Sequence, residues 1–155
     1  MQPVARVLVV ILGFGCAAAA EQTHRYRDAD FAVSPEAANP PQDAPWRHVI
    51  LPDQWKPDRP GESGPGWYRV TFQVSQAGRE PWMVYLPRLR EGGVLYVNGH
   101  LLARVPEPDA KTWVRWMRPH AFPIPPDDLR PGENTLHVRI NPANRDRIIS
   151  SIHIG

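Results

Sequence analysis

Residues 67–74 read WYRVTFQV and alternate between two kinds of side chain. The apolar side chains occupy the even positions, Tyr68, Val70, Phe72 and Val74. The odd positions carry Trp67 and then three polar residues. This period of two is typical of a strand with one buried face. We therefore expect the even positions to face a core. Arg69 is expected on the opposite face, paired with a carboxylate or with the backbone of a neighbouring strand.

Further short apolar stretches on both sides of this strand predict an all-β fold. They cover residues 46–51, 82–86, 94–97, 101–105, 121–124, 135–140 and 148–154. Asn98-Gly99 separates two of them and predicts a two-residue hairpin, because this turn needs positive φ at both central residues. Pro131-Gly132 predicts a turn before residues 135–140, where Leu136, Val138 and Ile140 alternate with polar residues. The 19 prolines leave almost no room for helices. A sandwich or barrel follows.

The N-terminus has the pattern of a secretory signal peptide over residues 1–20. Residues 7–14 read VLVVILGF, an apolar run shorter than the ~20 residues of a membrane-spanning helix. Ala17–Ala20 supply the small residues of a cleavage site. Lipidation at Cys16 is disfavoured, because Gly13-Phe14-Gly15 does not match the usual signal. We expect cleavage after Ala20 and a periplasmic or secreted product.

The chain after residue 20 is expected to consist of a proline-rich leader, 21–45, and one domain, 46–155. The leader is polar and lacks an apolar period, which predicts a segment that runs over the surface or stays mobile. The only cysteine lies in the signal peptide, so no disulfide is expected. Charges are nearly balanced, with 18 Lys and Arg against 16 Asp and Glu. No basic cluster stands out, which argues against nucleic-acid binding.

Four motifs carry a resemblance to a known family. They are LPDQW at 51–55, GWYR at 66–69, YVNG at 96–99 and RPGENTLHVRI at 130–140. In this order they resemble the galactose-binding-like jelly roll at the N-terminus of family 2 glycoside hydrolases such as β-galactosidase and β-mannosidase. The same domain occurs in extracytoplasmic sensory regions of bacterial histidine kinases and diguanylate cyclases. The resemblance covers about residues 46–154 and implies a jelly-roll β-sandwich that binds a ligand.

Catalytic and metal-binding patterns are not found in the sequence. It has no Gly-x-Ser-x-Gly elbow, no phosphate-binding glycine loop and no His-Glu-x-x-His motif. The six histidines are isolated along the chain, and we expect His137 and His153 to be packed or solvent-facing rather than metal ligands. Asp127-Asp128 fits a turn or a short helix start better than a calcium site. We expect no catalysis within these residues, no cofactor and no metal.

Ligand binding is the chemistry that remains. Trp113, Arg115 and Trp116 combine aromatic faces with a guanidinium, which suits a carbohydrate or another small polar ligand. Arg88 and Arg90 are expected to add donors from a neighbouring loop. The competing interpretation is that both tryptophans close one end of the sandwich as core residues.

Two functional hypotheses follow, with a third that assigns no ligand. The first is a sensory input domain at the N-terminus of a membrane-bound sensor of the histidine kinase type. The alternative is a carbohydrate-binding accessory module related to family 2 glycoside hydrolases, without catalytic residues of its own. The third is a purely structural role. Under the first, the β-favouring stretch 148–154 leads towards the membrane, which the chain reaches only through a continuation after Gly155.

Overall fold

The computed structural model describes residues 23–35, 38–55, 65–75, 81–106, 118–140 and 147–155. These residues form twelve strands and one short 3-10 helix, Pro126–Asp128. The strands are β1 His24–Tyr26, β2 Asp28–Val33, β3 Arg47–Ile50, β4 Asp53–Trp55, β5 Gly66–Val74, β6 Trp82–Leu86, β7 Gly93–Val97, β8 His100–Val105, β9 His120–Ile124, β10 Gly132–Ile140, β11 Arg147–Ile149 and β12 Ile152–Ile154. No helix in the described part of the chain is long and apolar enough to cross a membrane.

The strands form two main antiparallel sheets and a small ribbon. One sheet has six strands in the order β3-β2-β5-β10-β7-β8, and the other has four in the order β1-β12-β6-β9. Strands β11 and β4 make the ribbon. The nine-residue strands β5 and β10 pair along their whole length at the centre of the six-stranded sheet. They form the base on which the candidate site is built.

One apolar core joins the inner faces of the two sheets. β5 supplies Tyr68, Val70, Phe72 and Val74, and β10 supplies Leu136, Val138 and Ile140. From the four-stranded sheet come Val84, Leu86, Ile124, Ile152 and Ile154. The alternation in the sequence thus predicted the buried face of both central strands, and the structure confirms it. Burial of such side chains is the main stabilising term for a domain without disulfides.

The predicted turns are also confirmed. Asn98 has a φ of 50° and Gly99 a φ of 86°, between β7 and β8. Both values are those a two-residue hairpin requires, and only glycine and a few polar residues tolerate them. Gly132 has a φ of 89° at the start of β10.

The segment 21–45 differs from the predicted leader, because it contains β1 and β2. Strand β2 lies inside the six-stranded sheet, between β3 and β5. Its Ala29 and Phe31 are buried, and the Phe31 ring lies 4.9 Å from the Tyr68 ring. The polar composition of the segment conceals this short apolar period, so the sandwich begins before residue 46. Residues 38–46 do run over the surface, as described below.

The predicted last strand, 148–154, is two strands. β11 pairs with β4, whereas β12 joins the four-stranded sheet between β1 and β6. The break falls at Ser150-Ser151, where the Ser150 hydroxyl accepts a hydrogen bond from the Arg88 backbone N–H at 2.9 Å. Serine side chains compete with strand pairing in this way because they bond nearby backbone groups.

Candidate ligand-binding site

Polar side chains line up across the outer face of the six-stranded sheet. Asp30 on β2 stands opposite Arg69 on β5, and Arg69 stands opposite His137 on β10. The row continues to His48 on β3 and Tyr96 on β7. Because side chains alternate along a strand, this row points away from the core. The sheet therefore presents one continuous line of hydrogen-bonding groups to the outside.

Arg69 is held at the middle of this row by two interactions. Its Nε and Nη2 donate to the same oxygen of Asp30, at 3.1 and 2.7 Å. Its guanidinium carbon lies 4.4 Å from the centre of the Trp46 ring. An ion pair on one side and an aromatic face on the other restrict the side chain to one orientation. The side chain keeps 32% of its surface exposed, so it remains available to a ligand.

A segment that we call the strap, residues 38–46, crosses the same outer face. The Tyr96 hydroxyl donates to the Ala38 carbonyl at 2.7 Å and ties down one end. At the other end, Trp46 packs against a small buried cluster of Trp67, Val94 and Tyr96. The strap thus forms a wall above the row of polar side chains.

Between the strap and the sheet lies a cleft of about 550 Å³, which we call the outer cleft. Its volume falls within the range of known small-molecule sites. It is lined by Asn39, Pro40, Pro41, Gln42, Arg69, Asn98, Gly99, Arg130, Thr135 and His137. Two guanidinium groups, amides and a hydroxyl are combined here with proline and imidazole rings. Such a lining can bind a ligand that has both hydroxyl groups and apolar ring faces.

The far end of the outer cleft is fixed by a pair of amide side chains. The Asn98 amide nitrogen donates to the Asn134 amide oxygen at 2.8 Å and to the Asp128 carbonyl at 2.7 Å. Its amide oxygen accepts from the Thr135 backbone N–H at 3.0 Å. Buried Asn134 in turn bonds both the N–H and the carbonyl of Arg130. The hairpin turn and the loop before β10 are therefore locked together, which positions Arg130 and Thr135.

His137 is neutral at neutral pH. Burial, reinforced by the positive charge of Arg69, lowers the pKa of His137 to about 4. Its ring lies 5.9 Å from the Trp46 ring. Its Nδ1 and the Trp46 Nε1 are buried and have no hydrogen-bond partner among the described residues.

The structure describes two of the five site residues predicted from the sequence, Arg88 and Arg90. Trp113, Arg115 and Trp116 fall outside the described residues, so their role stays a prediction. Arg88 lines a second, smaller cleft, and Arg90 approaches buried Glu91 at 3.5 Å. Neither of these two arginines lines the outer cleft.

The alternation in the sequence places Arg69 and His137 on polar faces of their strands, but it does not show that the two residues are neighbours. Their proximity depends on the register of β5 against β10, which no local pattern reveals. Arg130 had no signal beyond its position before Pro131-Gly132. Among the described residues, no group of three or more His, Cys, Asp or Glu side chains could hold a metal ion.

Solved structures of known proteins share the fold of this chain. No family model matches the sequence, and no curated protein matches it. Solved structures do match: a glycosyl hydrolase family 2 member from Bacteroides cellulosilyticus superposes with a TM-score of 0.65 at 20% identity. The chain has the fold of a family 2 glycoside hydrolase β-sandwich. The predicted galactose-binding-like jelly roll is thereby confirmed.

Two further matches support the same fold. A beta-glycosidase from Bacteroides vulgatus gives a TM-score of 0.64 at 15% identity, and a b-glucuronidase from Ruminococcus gnavus in complex with D-glucuronic acid gives 0.61 at 13%. Each of the three matches covers 85 or 86% of this chain. The chain spans 20, 20 and 29% of the three solved structures, respectively. The likeness therefore concerns one sandwich within much larger enzymes.

Proposed function

We propose that this chain is a carbohydrate-binding accessory module and that the outer cleft is its binding site. The observation that carries the proposal is the arrangement of Arg69, which Asp30 and Trp46 hold in place beneath the strap. A donor that is already oriented loses little conformational freedom when a ligand binds. Preorganised donors of this kind are typical of sites for polar ligands.

The chemistry of the lining suits a sugar. A sugar ring has hydroxyl groups around its edge and apolar C–H surfaces on its faces. Arg69, Arg130 and Thr135 offer hydrogen bonds to hydroxyl groups, and Pro40 and Pro41 offer apolar ring surface. The described lining has no Asp or Glu side chain, whereas hydrolysis of a glycosidic bond uses a pair of them. We therefore assign the cleft a binding role and no catalytic step.

The comparisons favour this alternative over the sensory hypothesis. All three matches described above are carbohydrate-active enzymes by name, and the sandwich is one part of each. No observation on this chain supports a sensory role or coupling to a histidine kinase.

Export through the signal peptide 1–20 is part of the proposal. N-terminal sequencing of the secreted protein tests it, and a start at Met1 would contradict it.

The binding proposal is tested by screening the purified protein against mono- and oligosaccharides with isothermal titration calorimetry. Binding should weaken at least tenfold in Arg69→Gln and in Arg130→Gln, because each loses a charge-assisted hydrogen bond. Arg104→Gln is the matched control, since this exposed arginine on β8 does not line the cleft. If no saccharide binds, or if Arg104→Gln weakens binding as much, the proposal is wrong.

A further inference from the structure

A second cleft, of about 380 Å³, lies beside the four-stranded sheet and has a different chemistry. Its lining consists of Arg25, Pro52, Pro87, Arg88, Ser150, Ser151 and His153. It shares no lining residue with the outer cleft. We propose that this second cleft binds an oxyanion, the carboxylate or phosphate group of a small ligand. The proposal does not depend on carbohydrate binding in the outer cleft.

The strand register brings the basic groups of the second cleft together. Arg25 on β1 stands opposite His153 on β12. β12 lies between β1 and β6, and Arg88 follows the end of β6. The backbone at Arg88 is anchored, because its carbonyl accepts from the Ser150 backbone N–H at 3.1 Å and its N–H donates to the Ser150 hydroxyl. Two arginines from distant parts of the sequence thus line one small space.

Both guanidinium groups are available to a ligand. Arg25 and Arg88 are exposed, and neither side chain makes a hydrogen bond or ion pair with another described residue. The described lining contains no Asp or Glu side chain that would neutralise them. Arginine presents its N–H groups in a planar fork that matches the two oxygens of a carboxylate or a phosphate. The cleft therefore has two positive charges that lack a counter-charge among the described residues.

Serine and histidine side chains complete the donor set. The Ser151 hydroxyl is 3.3 Å from His153 Nε2, and Ser151 is buried. The His153 ring meets the Tyr85 ring edge-on at 5.5 Å, which holds it in place. A hydroxyl group and the N–H of a neutral imidazole can each donate a hydrogen bond to an oxyanion. An oxyanion here would receive both charged and neutral hydrogen bonds.

The same geometry couples anion binding to the protonation of His153. Burial, followed by the positive charge of Arg25, lowers the pKa of His153. Among the described residues, the Tyr85 ring contacts the His153 ring, and Arg88 is the other charged residue in the lining of the cleft. An anion between the guanidinium groups offsets their charge, so it raises the pKa of His153 and favours uptake of a proton. Anion affinity should consequently increase as the pH falls through the pKa of His153.

The test is an NMR titration of the isotope-labelled protein with inorganic phosphate, with acetate and with neutral acetamide. Phosphate or acetate should shift the amide signals of Arg88, Ser150, Ser151 and His153 in a saturable manner, and acetamide should not. The stronger of the two anions identifies the source of the oxyanion as a phosphate or a carboxylate. In the bound state the His153 ring signals should titrate at a higher pH than in the free protein.

Arg25→Gln and Arg88→Gln should each weaken the anion response about tenfold, because a charge-assisted hydrogen bond is lost in each. Arg104→Gln should leave it unchanged, and a thermal melt shows whether each variant is folded. Two separate arginine variants keep the test decisive if one of them fails to fold. Equal shifts with acetamide, or an unchanged response in a folded Arg25→Gln or Arg88→Gln protein, overturn the proposal. Loss of sugar binding in the outer cleft would leave this result unaffected.

Discussion

Arg69 binds a single oxygen of Asp30 through two nitrogen atoms, and this pair joins β5 to β2 across the outer face of the sheet. β2 itself lies in a segment whose composition is that of a surface leader. The ion pair therefore links an unexpected strand to the centre of the candidate site. Both side chains are about one third exposed, so solvent screens the attraction between them.

Asp30→Asn should release the Arg69 side chain from its fixed orientation and should destabilise the fold only slightly. We expect a loss of about 0.2–1 kcal/mol in the free energy of unfolding, the range measured for solvent-screened ion pairs. The Arg69 Nε–H signal in NMR spectra should move and exchange faster with water. Asp28→Asn is the control, since Asp28 lies on the same strand and its side chain is 80% exposed. An Arg69 Nε–H signal that stays in place in Asp30→Asn would contradict the prediction.

Phe72→Ala should destabilise the protein strongly. Phe72 is 1% exposed, and its ring lies 6.2 Å from the Trp82 ring on the opposite sheet. Loss of a buried phenyl ring leaves a cavity between the sheets and costs about 3–5 kcal/mol in the free energy of unfolding. Gln73→Ala, the exposed next position, should change it by less than about 0.5 kcal/mol. Urea unfolding measures both variants, and a loss below ~1 kcal/mol for Phe72→Ala would refute the assigned face.

Asn134→Ala should lower stability although it removes no apolar contact of note. Asn134 is fully buried, and its amide group makes hydrogen bonds with Asn98, Arg130 and Gly132. Truncation removes the hydrogen bonds to the Arg130 N–H and to the Arg130 carbonyl, which costs about 1–3 kcal/mol. Asn39→Ala, at an exposed residue on the rim of the outer cleft, is the control. Equal melting temperatures for the two variants would show that the amide pair does not lock the hairpin.

The sequence predicts the central strands because their patterns are local. Alternation along β5 and β10 and the Asn98-Gly99 pair each specify a conformation within a few residues. β2 is not predicted, because its short apolar period lies among polar residues and prolines. The outer cleft is not predicted for a different reason. Its formation depends on the register of β2, β5 and β10 and on the path of the strap, and contacts between distant residues set all of these. The ligand-binding role of Trp113, Arg115 and Trp116 remains a prediction.

His137 should make the stability of the protein depend on pH in a defined window. Its pKa is about 4 in the folded protein and about 6.5 in the unfolded chain, so the unfolded state binds a proton first as the pH falls. The contribution of His137 to stability is therefore complete above pH 6.5 and decreases between 6.5 and 4. Below the folded-state pKa both states are protonated, and the contribution changes no further.

His137→Gln, which cannot be protonated in this range, should flatten the pH dependence between 6.5 and 4. His48→Gln is the matched control, because His48 stands in the same row but its side chain is 60% exposed. Urea unfolding at a series of pH values measures the stability, and an NMR titration of the imidazole signals measures the pKa directly. The prediction rests on burial together with the charge of Arg69, so Arg69→Gln should raise the pKa of His137 towards its ordinary value. A His137 pKa near 6.5 in the unmodified protein would mean that the ring is solvated and that the strap does not cover it.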